Sequence, residues 1–167
     1  MKYSCVALGG TFDHLHKGHM ALLRRGFSLS DVVVIGVTSD SFASREGKSP
    51  DQSYLERVKV IERVLNSTFS GRKYVIVKLE DFFGTDIASP KVEAIVVTRE
   101  TAARVPIANS LRAEKGYPPL KVEVVDHVLA VDGRPISSTR IRKGEIDAEG
   151  RILSQSLKMK RSQPRKG

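Results

Sequence analysis

The sequence predicts an α/β protein: a single Rossmann-like domain on a doubly wound, parallel, five-stranded sheet with helices on both faces. Three observations carry that prediction. Five short apolar runs, several of them rich in β-branched residues, lack the alternation of a one-sided strand and so belong in a sheet covered on both faces. Segments with apolar residues at helical spacing lie among them, in the order β-α-β-α-β-β-α-β-α. The 167 residues are one domain's length, enough to bury a core, and 40% hydrophobic content is ordinary for a globular chain. Right-handed crossovers then put helices on both sides of the sheet.

The first strand is expected over residues 3–8, with Val6, Ala7 and Leu8 as its apolar end. A helix over 19–27 turns Leu22, Leu23 and Phe27 to one side. The second strand, 32–38, is the most β-branched, with Val32, Val33, Val34, Ile35 and Val37. The helix over 54–65 sets Leu55, Val58, Ile61, Val64 and Leu65 at helical spacing and turns Glu56, Arg57, Lys59, Glu62 and Arg63 outward. Strands follow at 74–79 and 94–98. A helix over 101–115 brings Ala108, Leu111 and Arg112 near one stripe and ends at Gly116 ahead of Pro118 and Pro119. Pro106 inside it delays the start or kinks it. The fifth strand is 122–125. Two long connections, 39–53 and 80–91, are candidate functional loops. The domain is expected to span 1–156, and 157–167 to form a disordered tail that is polar, basic and broken by Pro164.

The net charge of +9 divides unevenly. Lys158, Lys160, Arg161, Arg165 and Lys166 give the tail +5 with no acid, which leaves the body, with 23 basic and 19 acidic residues, at +4. A basic chain points to nucleic acid, an anionic membrane or phosphorylated small molecules, and composition does not choose among them. With four Tyr, six Phe, no Trp and none of these in the tail, a nucleic-acid-binding module is the lesser alternative. The single cysteine, Cys5, excludes an intrachain disulfide and a cysteine zinc site, and reads as a small buried hydrophobe. No apolar stretch approaches the ~20 residues of a membrane span. Gly9, Gly10 and Asp13 interrupt any signal-peptide core, so a cytoplasmic protein without membrane partners is expected.

Two constellations carry chemistry. The first, from Gly9 to His19, joins the first strand to the first helix, where doubly wound folds bind ligands. Gly9 and Gly10 let backbone approach a ligand. His16, Gly18 and His19 stand at the helix start, whose free N–H groups favour phosphate. Neither a dinucleotide fingerprint nor a P-loop is present. Zinc held by His14, His16 and His19 is the metal alternative, although no carboxylate stands at the usual spacing; plain capping and packing is the other. The fourth histidine, His127, reads as structural. The second constellation runs from Gly133 to Lys143. Ser137 or Ser138 can cap a helix whose first turn, with Thr139, Arg140 and Arg142, suits a second anion.

Together, Gly10, Thr11, Phe12, Asp13, His16, Gly18 and His19, followed about 120 residues later by Ile136, Ser137, Ser138, Thr139 and Arg140, resemble the HxGH nucleotidyltransferase superfamily. Softer pieces, such as Thr38, Arg57, Asp81, Gly84 and Asn109 with their neighbours, make the chain similar to the phosphopantetheine adenylyltransferase family in its archaeal single-domain form, related to the eukaryotic bifunctional enzyme. The resemblance covers residues 1 to about 152. It implies transfer of AMP from ATP to 4′-phosphopantetheine, giving dephospho-coenzyme A and pyrophosphate. Other members of the superfamily, transferring cytidylyl or acting on nicotinamide or flavin mononucleotide, are the alternative.

The resemblance also implies roles. His19 meets the α-phosphate in the transition state, His16 helps hold the nucleotide, and Lys48 is the catalytic cation on the acceptor phosphate, with Arg45 as its substitute. Gly9, Gly10, Thr11, Phe12, Gly18, Arg99, Ser137, Ser138, Thr139 and Arg140 complete the ATP site. Thr11, Lys48, Asp81 and Asn109 are expected on the acceptor, with Asn109 and Arg112 facing the site from one helix. Mg²⁺ comes with ATP phosphates, and no protein residue is expected to ligate it. A monomer is expected.

Overall fold

The computed structural model describes residues 1–84 and 89–153. Its elements are β1 (Tyr3–Gly10), α1 (Lys17–Leu29), β2 (Ser30–Thr38), α2 (Asp40–Arg45), α3 (Tyr54–Thr68), β3 (Lys73–Leu79), β4 (Ala94–Val97), α4 (Arg99–Ala102), α5 (Val105–Glu114), β5 (Lys121–Val124) and α6 (Ser138–Arg142). The strands form one parallel sheet in the order β3-β2-β1-β4-β5. The chain winds one way from β1 through β2 to β3, then the other way through β4 to β5. The reversal lies between β1 and β4, so their carboxyl ends border the crevice where such folds bind ligands.

Each face of the sheet has its own core. Val6, Leu8, Val33 and Ile35 point to one side and pack with Leu23 and Phe27 of α1 and Ile61 and Leu65 of α3. Ala7, Val34, Ile95 and Val97 point to the other side and pack with Phe42 of α2 and Val105 and Ala108 of α5. The alternation along β1 and β2 is the period-2 geometry of a strand, with both sets of side chains apolar because both faces are covered. A small third cluster of Ala130, Ile136 and Ile146 supports α6.

Four expectations need correction. Burial on both faces holds for β2 and β4 but fails at the sheet edges, where Val75, Val122 and Val124 are exposed. An edge strand has a neighbour on one side only. Cys5 is half-buried and lines an open hollow with Val32, Pro90 and Lys91, so it is not a core residue. The helix expected over 101–115 is two helices: α4 stops at Ala102, and Pro106 sits in the first turn of α5, where its missing N–H breaks no hydrogen bond. Likewise the 39–53 connection is not all loop, since Ser39 caps α2 within it. The 157–167 tail lies outside the described residues, as does part of the 80–91 connection. Among the described residues no helix is long and apolar enough to cross a membrane.

Candidate active site

The site grows from the turn between β1 and α1. Phe12 and His14 both hold left-handed backbone, φ 57° and 46°, a conformation that costs a bulky residue on the order of 1 kcal/mol. Burial of the Phe12 ring supports that turn; at 1% exposure its side chain belongs to the core. The ring also lies against His19, centroids 5.1 Å apart.

His16 then caps α1. Its Nδ1 accepts from Gly18 N–H at 3.0 Å, and His16 N–H donates to His19 Nδ1 at 3.2 Å. The imidazole rings stack with centroids 3.7 Å apart. Both Nδ1 atoms accept, so each neutral ring carries its proton on Nε2 and has one N–H donor left. Both rings stay neutral at ordinary pH. Burial, then the charge of His14, takes His16 down to about 4; burial, then His16 and Lys48, takes His19 well below its usual value. Gly18 is required by this packing, because a Cβ there would lie 2.8 Å from His16 Cε1.

Lys48 reaches the same place from the loop after α2. Its Nζ donates to Thr11 Oγ1 at 3.5 Å, and Thr38 Oγ1 donates to that same oxygen at 3.2 Å. Arg45 is turned away onto the Glu80 carbonyl and the Phe42 ring, so Lys48 is the cation beside the histidines.

The second constellation closes on the first. Ser137 caps α6 through Arg140 N–H, and Ser138 Oγ donates to the Asp13 carbonyl at 2.6 Å across 125 residues. Thr139 Oγ1 accepts from Arg142 Nη2. Arg140 departs from expectation. It pairs with Asp132 and Glu145, and its contact lowers the Asp132 pKa to about 2. In this structure its charge is balanced by those two acids.

The remaining expected site residues are placed by other contacts. The Asn109 side chain brackets the backbone of Leu120, accepting from its N–H at 2.7 Å. Arg112 is buried, with its guanidinium on the carbonyls of Ser89, Val92 and Pro118. Both therefore staple loops instead of facing the site. Asp81 starts a turn by accepting from Phe83 and Gly84 N–H. Arg99 is exposed at the carboxyl end of β4 and touches Asp126. His127 pairs with Glu100.

Two residues matter here to which the sequence alone assigns no such role. Arg57, expected to face outward, has no exposed surface. Its guanidinium donates to the carbonyls of Thr11, Thr38 and Gln52 and to Asp40. Asp13 is equally buried. Burial opposes its ionisation, but the Asp51 and Gln52 amides and Arg142 outweigh that and hold its pKa below the usual range. Asp13, His14 and Asp51 bring ligand atoms within 4.8 Å of one another. Arg142 Nη1 sits 2.9 Å from Asp13 Oδ2, however, so this group already contains its cation.

Residues 7–144 match the cytidylyltransferase-like family. The phosphopantetheine adenylyltransferase of Methanothermobacter thermautotrophicus is 44% identical over 154 residues, covering 92% of this chain and 92% of its own length. That of Methanopyrus kandleri is 44% identical over 146 residues, covering 87% and 92%. Among solved structures, a protein of unknown function from Archaeoglobus fulgidus superposes with TM-score 0.65 at 30% identity, over 72% of this chain and 88% of that one. The pantoate-beta-alanine ligase of Francisella tularensis superposes with TM-score 0.57 at 14% identity, over 95% and 69%, a likeness of fold alone.

Proposed function

Because the chain belongs to the archaeal-type phosphopantetheine adenylyltransferases, within the cytidylyltransferase-like family, we propose that its site moves AMP from ATP to 4′-phosphopantetheine in coenzyme A synthesis. The observation that carries this reading is the clustering of the stacked, neutral His16 and His19 rings with the Thr11 hydroxyl and the Lys48 ammonium at the turn from β1 to α1.

The acceptor is a phosphate monoester with a second pKa near ~6, so at neutral pH it is already mostly a dianion and needs no strong base. One of its oxygens attacks the α-phosphorus of ATP and forms a P–O–P bond. The bond from the α-phosphorus to the bridging oxygen of the β-phosphate breaks, and pyrophosphate leaves with that electron pair. Catalysis is then a matter of position and charge. Lys48 and Thr11 hold the acceptor phosphate in line. His19 donates its Nε2–H to a non-bridging α-phosphate oxygen as charge gathers there, and His16 holds the nucleotide beside it. Ser137, Ser138 and Thr139 border the β- and γ-phosphates at the start of α6, with Gly9, Gly10 and Gly18 giving the backbone close approach. Neutral histidines suit this chemistry, because they donate hydrogen bonds without the proton loss an imidazolium would undergo near neutral pH.

Magnesium enters as part of the substrate. Asp13, in the same turn as the histidines, is engaged by Arg142 and two amides. On this reading the ion rides on the triphosphate with its waters. The reading extends to a monomer acting in the cytoplasm. The test is to incubate the protein with each nucleoside triphosphate and with phosphopantetheine, glycerol phosphate, nicotinamide mononucleotide or flavin mononucleotide, and to weigh the products. Dephospho-coenzyme A from ATP is expected. A cytidylyl product, or preference for another acceptor, would move the chain elsewhere in its superfamily.

A further inference from the structure

We propose that Asp13 is a positioning residue that couples the nucleotide half of the site to the acceptor half. This rests on the adenylyl-transfer reading above. The carboxylate is fully buried. Its Oδ1 accepts from Gln52 N–H at 3.0 Å, and its Oδ2 accepts from Asp51 N–H at 3.1 Å and from Arg142 Nη1 at 2.9 Å. Its own carbonyl accepts from Ser138 Oγ at 2.6 Å.

Each of these partners lies on a segment that carries a substrate-facing group. Asp51 and Gln52 follow Lys48 on one short loop, which is also tied by Lys48 N–H on the Ala43 carbonyl at 2.9 Å and by Arg57 on the Gln52 carbonyl. Arg142 and Ser138 belong to α6, which carries Thr139. Asp13 itself stands two residues after Thr11 and three before His16. Asp13 thus joins its own β1–α1 turn to two segments far apart in sequence, the Lys48 loop and α6, each bordering a different phosphate on this reading. Its neighbour strengthens the link to the Lys48 loop: His14 Nε2 lies 2.6 Å from Asp51 Oδ2, and His14 N–H donates to Gln52 Oε1 at 3.3 Å.

Asp13 touches no reacting atom and acts through Lys48. A double-mutant cycle separates that role from a purely stabilising one. Asp13→Asn keeps the shape but turns an amide NH₂ toward donors. It is expected to lower kcat/KM for 4′-phosphopantetheine by about 30-fold in the wild-type background and by less than about threefold in Lys48→Ala, because Lys48 is then no longer there to be positioned. The dissociation constant for 4′-phosphopantetheine, read by calorimetry in the same four proteins, is expected to show the same coupling without turnover. Should Asp13→Asn fail to fold, His14→Asn carries the cycle alone. The pair it breaks is partly exposed, and Asn tolerates the left-handed backbone at 14. Its loss is expected to be about fivefold and likewise to vanish in Lys48→Ala. Equal fold losses in both backgrounds overturn the proposal while leaving the adenylyl-transfer reading intact. A wild-type protein that neither binds nor adenylylates phosphopantetheine overturns both.

Discussion

Gly18→Ala separates site geometry from stability at a single atom. The added Cβ would stand 2.8 Å from Cε1 and 3.0 Å from Nδ1 of His16, distances that side-chain atoms do not sustain. The His16 ring must move, since the clash is with its near edge. Two contacts go with it: the 3.0 Å cap on Gly18 N–H and the 3.7 Å stack on His19. Loss of an N-cap costs about 1 kcal/mol. Replacing a helical glycine by alanine returns up to about 1 kcal/mol, less in the first turn where Gly18 lies. The two nearly cancel, so the denaturation midpoint is expected to stay close to wild type. Turnover does not benefit from that cancellation. A displacement on the order of 1 Å at a donor to the reacting phosphate costs roughly 10²-fold in rate. Pyrophosphate release with saturating ATP and phosphopantetheine measures kcat, and urea titration measures stability. A Gly18→Ala protein with near-normal kcat would refute the claim that the stacked histidines work through their fixed geometry. A large loss of stability would show that the cap, not the catalytic alignment, is the main role of the residue.

Other expectations follow from buried groups. Arg57→Met leaves the carbonyls of Thr11, Thr38 and Gln52 without their guanidinium donor and is expected to destabilise the fold by about 3 kcal/mol in urea denaturation; a loss below about 1 kcal/mol contradicts this. His16 titrates near 4 in the folded state against 6.5 when unperturbed. Between those values the unfolded chain binds the extra proton, so stability is complete above pH 6.5 and falls as the pH drops toward 4. This one group contributes about 3 kcal/mol of that loss. Stability measured with and without His16→Asn is expected to diverge over that interval, with the variant the less pH-dependent of the two. Parallel pH profiles would contradict the neutral, buried assignment.

The central strands were legible because runs such as Val32 to Val37 admit almost no other placement in a chain this size. The two constellations that the fold brings together were legible as well, since histidine, glycine and hydroxyl residues beside helix starts stand out from the apolar runs around them. What stayed hidden was long-range. Arg57 lies on the polar stripe of a periodic helix, and nothing local shows that three loop carbonyls converge on it. Arg140 reads as an anion contact until Asp132 and Glu145, eight residues before it and five after, are seen to close on it. Those acids were the available signal. Asn109 and Arg112 share one lesson: loops ending near a helix need donors and acceptors for their backbone, and the nearest polar side chains supply them. The edge strands β3 and β5 looked like inner strands because sequence records apolar character and not position in the sheet.

At the centre of the proposed chemistry, neutral His19 stabilises the α-phosphate as AMP moves to phosphopantetheine. Pyrophosphate release from ATP and 4′-phosphopantetheine, compared between wild type and His19→Ala, tests this most directly. The expected result is dephospho-coenzyme A from the wild type and at least ~10²-fold lower kcat in the variant, with its fold intact. Near-normal turnover by His19→Ala would contradict that role.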